Sequence, residues 1–154
     1  MTHKDLVKRM AKWLKNTKSM TVVMAELTTR NSEIPDVIGW VGNAHSILIE
    51  AKVSRADFVT DAHKHFRRES CLGMGAQRYV ASPRGMLTPD EMPEGWGLLE
   101  VDEHRVRVSK EAEYMEANKC AECVMLMSAL RRLEISTAVY VVHDDTAPKA
   151  GGAP

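Results

Sequence analysis

Two short stretches concentrate the residues able to do chemistry. In Ile34-Pro35-Asp36-Val37-Ile38 an acid stands at the start of an apolar run, and in Ile49-Glu50-Ala51-Lys52-Val53 an acid and a lysine alternate with apolar residues. Side chains alternate faces along a strand, so Glu50 and Lys52 share one face while Ile49, Ala51 and Val53 point into the core. Asp36 on a neighbouring strand can converge on the same edge. Hard oxygen ligands from two strands suit Mg²⁺, with Mn²⁺ as a substitute, and leave room for water and a phosphate. Lys52, its stem along the sheet edge and its charge directed to the surface, would orient the attacking water and offset charge developing on phosphorus. The plainer alternative is a surface salt bridge from Lys52 to Glu50 or Asp36 on a half-exposed hairpin.

Positioning these residues requires a hairpin. DVIGW, the Gly42-Asn43 turn and SILIEAKV read as two strands buried in a sheet. Ahead of them, Thr2 and Asp5 form a capping-box pattern, and Leu6, Val7, Met10, Ala11, Trp13 and Leu14 recur at helical spacing, predicting a helix over 3–16. TVVMAEL reads as a strand and TTRNSEI as a turn. After the hairpin, Ser54 with Asp57 caps a second helix running to about Glu69, carrying Phe58, Ala62, His65 and Phe66. QRYVAS is a further strand, residues 84–95 a loop with one helical turn, and WGLLEVD with RVRVS a second hairpin. A helix is expected over residues 110–133, a last strand at ISTAVYVVH, and a disordered tail over 147–154, leaving one domain over 1–146. The fold class is α/β, a mixed central sheet flanked by helices.

The order helix, strand, strand with Pro-Asp, strand with Glu-x-Lys, helix, strand resembles the PD-(D/E)xK phosphodiesterase superfamily, whose restriction-endonuclease-like core is α-β-β-β-α-β. More narrowly, AEL, IPDVIGW, ILIEAKVSRADFVTDAHKHFR, QRYVASP and LTPDEMPEGWGLLEVDEHRVRV, spread over residues 21–108, are similar to the MmcB-like DNA-repair family. The resemblance implies a metal-dependent nuclease acting on DNA, with Asp36, Glu50 and Lys52 catalytic and with Asp36, Glu50, Ala51 and Glu26 at the metal. Many superfamily members carry the upstream acid on the first helix, where this chain offers only Asp5. A nuclease fold kept for DNA binding or regulation alone is the alternative.

The chain has 154 residues, 44% hydrophobic and 27% charged, with a formal net charge of zero. This composition argues against wholesale disorder and against a membrane protein. The neutral total hides blocks of charge. Residues 1–20 hold six Lys/Arg against one acid and residues 52–84 seven against three, whereas 85–116 hold three against nine. Basic blocks flanking an acid-containing middle suit a phosphate groove around a metal, or else mark solvated helix faces. Arg55, Lys64, Arg67 and Arg68, with His63 and His65, are candidate DNA contacts, as are Gln77 and Arg78. Tyr79 reads as core. The N-terminus lacks a secretory pattern, and three cysteines suit a reducing, cytoplasmic setting. Cys120 and Cys123 form a CxxC without a second ligand pair, and read as small hydrophobes packing with Val124, Met127 and Leu130. The ten methionines suggest core or a subunit interface, which leaves a homodimer open.

Overall fold

The computed structural model describes residues 1–28, 33–61 and 70–134. Among these described residues six strands form one mixed sheet in sequence order: β1 (Val22–Ala25), β2 (Val37–Val41), β3 (His45–Ala51), β4 (Gln77–Pro83), β5 (Gly97–Val101) and β6 (Val106–Lys110). Three pairings are antiparallel, β1/β2, β2/β3 and β5/β6. The central pairings, β3/β4 and β4/β5, are parallel. The helices among the described residues are α1 (His3–Asn16), α2 (Arg55–Asp61) and α3 (Lys119–Arg132).

Each face of the sheet is covered because the central strands are apolar on both sides. Leu6, Val7, Met10 and Leu14 recur at helical spacing on α1 and pack against Val37, Ile47, Ile49, Ala51 and Tyr79. On the opposite face, Phe58 of α2 and Met125 of α3 join Ile38, Leu48, Val80 and Leu98. α1 begins where expected because the Thr2 hydroxyl accepts the Asp5 N–H at 3.2 Å and the Asp5 carboxylate accepts the Thr2 N–H at 3.1 Å. Asp5 is thereby committed to capping. The β2–β3 hairpin closes through Gly42, Asn43 and Ala44, the last two at φ 56° and 60°. Gly97 faces Tyr79 across the parallel β4–β5 pair. A Cβ there would lie 2.4 Å from the Tyr79 ring, so only glycine leaves room for the ring.

Two expectations need correction. The helix expected over residues 110–133 starts only at Lys119, because 111–118 spend backbone donors on distant carbonyls. Glu113 N–H reaches Gly95 O at 2.9 Å, Met115 N–H reaches Ala76 O at 2.8 Å, and Asn118 N–H reaches Gly73 O at 2.9 Å. Those tertiary bonds hold the segment extended as a strap, and Asn118 then caps α3 through the Ala121 N–H. The apolar stripe assigned to the core of that helix is also misplaced. Cys120, Cys123, Val124, Met127 and Leu130 are exposed, and the buried positions are Glu122 and Met125. The expected last strand at 135–143 and the 147–154 tail lie outside the described residues. Among the described residues no helix is long and apolar enough to cross a membrane.

Candidate active site

Strand direction gathers the candidate residues at one end of the sheet. β1 and β3 are both antiparallel to β2, so their C-terminal ends lie beside the N-terminal end of β2. Glu26 follows β1, Asp36 precedes β2, Glu50 is the penultimate residue of β3, and Lys52 directly follows it. Backbone bonds lock this convergence. Glu26 N–H donates to Asp36 O at 3.0 Å, and Ala51 N–H donates to the Asp36 carboxylate at 2.7 Å. Ala51 thus enters the site through its amide, with its side chain fully buried against α1.

Glu50 and Lys52 do share a face, but not a solvent-facing one. Alternation with Leu48 puts Glu50 on the α2/α3 side, and both residues are only 5% exposed. The surface-directed Lys52 of the sequence reading is therefore corrected, because the second layer covers the strand end. Val53, assigned to the core, is 36% exposed, since the chain has already left the sheet to enter α2. Lys52 Nζ lies 3.7 Å from Glu50 Oε2 and 3.8 Å from Asp57 Oδ2. Asp57 reaches this position because Ser54 Oγ accepts its N–H at 3.2 Å and fixes the first turn of α2.

A histidine completes the arrangement on the α1 side. His3 Nε2 lies 3.4 Å from Glu26 Oε1 and 3.5 Å from Asp36 Oδ1. The ligand atoms of His3, Glu26 and Asp36 all fall within 4.8 Å of one another, the one such group of three among the described residues. Glu50, expected beside Asp36 at a metal, stands outside this group against Lys52. Burial pushes the Asp36 carboxyl above its ordinary range; the Ala51 N–H, His3 and Lys52 pull it back, and Glu26 adds to the rise. Two carboxylates and an imidazole in that space fit a divalent cation, whose charge would offset the cost of ionising Asp36.

The expected DNA contacts divide. Arg55 is exposed beside the site, with its guanidinium bonded to Met86 O at 2.7 Å and paired with Glu91. Gln77 donates to Ala112 O at 2.9 Å and so anchors the strap. Arg78 is 1% exposed, which removes it as a phosphate contact. Its Nε donates to Met74 O and Gly75 O, and its Nη2 to Gly73 O and Glu116 O, so it holds the loop before β4 to the strap. Lys64, Arg67 and Arg68, with His63 and His65, lie outside the described residues. Tyr79 is buried as expected, its hydroxyl 2.6 Å from Glu111.

Sequence reasoning missed His3, Asp57 as a partner of Lys52, and Glu122. His3 had no pattern to announce it. Glu122 did leave a signal, an acid three residues before Met125 on what becomes the inner face of α3. Its carboxylate accepts from Trp40 Nε1, Ser46 Oγ, Gly75 N–H and Lys119 Nζ at 2.7–2.9 Å and pins α3 to the β2–β3 hairpin.

No family model and no curated protein matches the sequence. Among solved structures the chain is similar to a protein of unknown function from Silicibacter pomeroyi, with a TM-score of 0.64 and 20% identity over 92% of this chain and 99% of that one. At that identity the likeness shows a shared fold.

Proposed function

We propose that the chain is a Mg²⁺-dependent deoxyribonuclease that hydrolyses DNA phosphodiester bonds on a restriction-endonuclease-like core of the PD-(D/E)xK type. The observation that carries this reading is the placement of Lys52. Its ammonium is buried between Glu50 and Asp57, electrostatically coupled to Asp36, at the strand ends where Glu26 and Asp36 converge. The element order α1-β1-β2-β3-α2-β4 supports it further.

Asp36, Glu26 and His3 would hold the cation, with Glu50 engaged by Lys52. When bound, it supplies Lewis-acid polarisation of a phosphate oxygen and a more acidic water. The chain's own residues do the rest. Ala51 N–H fixes the orientation of Asp36. Lys52 offers the attacking water or a non-bridging oxygen a charged donor, and its charge counts most when negative charge builds on the phosphate in the transition state. Because the ammonium is already held by two carboxylates and shielded from bulk water, little reorganisation is needed at the moment of reaction.

The test is incubation of the pure protein with supercoiled plasmid and with single-stranded circular DNA, in Mg²⁺, Mn²⁺ or EDTA. Nicked or linear products that need the cation are expected. Binding to either DNA with no break under any cation overturns the hydrolase reading and leaves a DNA-binding protein on the same fold.

A further inference from the structure

The expected DNA contacts on β4 are buried or spent inside the protein, yet the other end of the sheet, where the candidate active site lies, carries another basic surface. Residues 9, 12, 13 and 16 are spaced to share one flank of α1. There Arg9, Lys12, Trp13 and Asn16 face His104 and Arg105 of the β5–β6 turn across an open cleft of about 350 Å³. Arg9 spans the two walls by donating to Glu103 O at 2.8 Å. Trp13 forms an apolar floor, only 7% exposed. A second hollow continues from His104 and Arg105 to Arg84, which directly follows β4.

β3, β4 and β5 run parallel, so Lys52, Arg84 and the β5–β6 turn all lie at one end of the sheet. Two to three strand spacings separate Lys52, at the end of β3, from the β5–β6 turn, roughly 12 Å. That is about three to four nucleotide steps at 3.4 Å per step. Of the two acids that line the second hollow, Asp102 accepts the His104 and Arg105 N–H groups and pairs with Arg84 and Arg105, and Glu103 meets Arg9 through its backbone carbonyl.

We propose that the cleft between α1 and the β5–β6 turn binds the phosphodiester backbone of a DNA strand a few nucleotides from the bond held at the Asp36–Lys52 site. This inference rests on the nuclease reading for its choice of ligand. Arg9, Lys12 and Arg105 supply the phosphate contacts, and the buried ring of Trp13 leaves no base-stacking platform, so the cleft positions DNA without reading its sequence.

The experiment is fluorescence anisotropy of a labelled 20-nucleotide single strand and its duplex, without cleavage in EDTA, from 50 to 200 mM salt. Arg9→Gln/Lys12→Gln is compared with Lys8→Gln/Lys15→Gln, which removes equal charge from α1 outside the cleft. The cleft pair should weaken binding about tenfold and flatten the salt dependence on single strands by about 1.4 in log–log slope, for two lost phosphates. The control pair should stay within about threefold. Because Arg9 also ties α1 to the turn, Lys12→Glu and Arg105→Gln serve as single variants, checked by thermal melting. Equal losses in both pairs, or none in the cleft variants, overturn the inference even if the parent cuts plasmid. Cleft-dependent binding by a parent that leaves plasmid intact supports the cleft and overturns only the hydrolase reading. A parent that binds neither DNA at 50 mM salt overturns both.

Discussion

Lys52 Nζ lies 3.7 Å from Glu50 Oε2, and both side chains are 6% exposed, so this acid and this base are held together out of solvent. A buried pair is costly to assemble, because each charge gives up its hydration, and costly to break, because the survivor stays buried. Such a pair is weak as a stability device and more telling as a preset electrostatic environment.

Lys52→Met therefore carries two expected effects. Leaving Glu50 without its ammonium should cost about 3 kcal/mol. For a chain of this size that is a fall in Tm of roughly 6–12 °C. Below the melting range, the folded variant should still cut DNA at least about a thousandfold more slowly, since the charge acts chiefly in the transition state. Melts and single-turnover cleavage at 15 °C separate the two. A folded variant cutting within a few-fold of the parent removes Lys52 from the chemistry.

The His3–Glu26–Asp36 group makes a prediction about the cation itself. Asp36→Asn and Glu26→Gln should each weaken Mg²⁺ and Mn²⁺ binding about tenfold or more, whereas His3→Ala should weaken Mn²⁺ more than the harder Mg²⁺, for which an imidazole nitrogen is a poor ligand. Ca²⁺ should bind without supporting cleavage. Isothermal calorimetry on the three variants reads this directly. Unchanged affinities in Asp36→Asn and Glu26→Gln would place the cation elsewhere.

Arg78 should behave as a structural residue. Its planar fork serves four carbonyls on two segments, a pattern a lysine cannot reproduce. Arg78→Lys should lose about 2 kcal/mol by urea unfolding and keep DNA affinity within twofold. A large loss of DNA binding in a variant of unchanged stability would return Arg78 to the phosphate contacts.

What the sequence revealed depended on how local the cause was. The β2–β3 hairpin, the α1 cap and the Glu50–Lys52 alternation follow from periodicity and neighbouring residues, and they stand where expected. The burial of Lys52 did not, because one strand's alternation cannot say whether a second layer covers its polar face; here a layer that includes Phe58, Leu87 and Met92 packs on that side of the sheet. Residues 111–118 carry helix-compatible composition, and tertiary bonds to Gly73, Ala76, Gly95, Gln77 and Arg78 draw them out straight. His3 joins Asp36 across 33 positions of sequence, at a helix start where nothing local marks it.

Glu122 offers the cleanest pH signature. Burial by itself would raise its carboxyl, but the Gly75 N–H, Ser46, Lys119 and Trp40 more than offset this and hold it below the ordinary 4.5. A carboxyl depressed in the folded state contributes stability that is fully present above its unfolded value and is lost as pH falls through the folded one. Glu122→Gln replaces one acceptor oxygen by an amide that faces donors, and should cost about 2–3 kcal/mol near neutrality. The gap between the parent and Glu122→Gln in urea midpoint should hold from pH 7 down to about 5 and then narrow steadily below 4.5. Asp36, raised by burial, is present in both proteins, so its titration cancels in the gap. Unfolding curves at half-unit steps from pH 3 to 7 give the test, and a gap independent of pH would mean that the four donors do not hold a carboxylate.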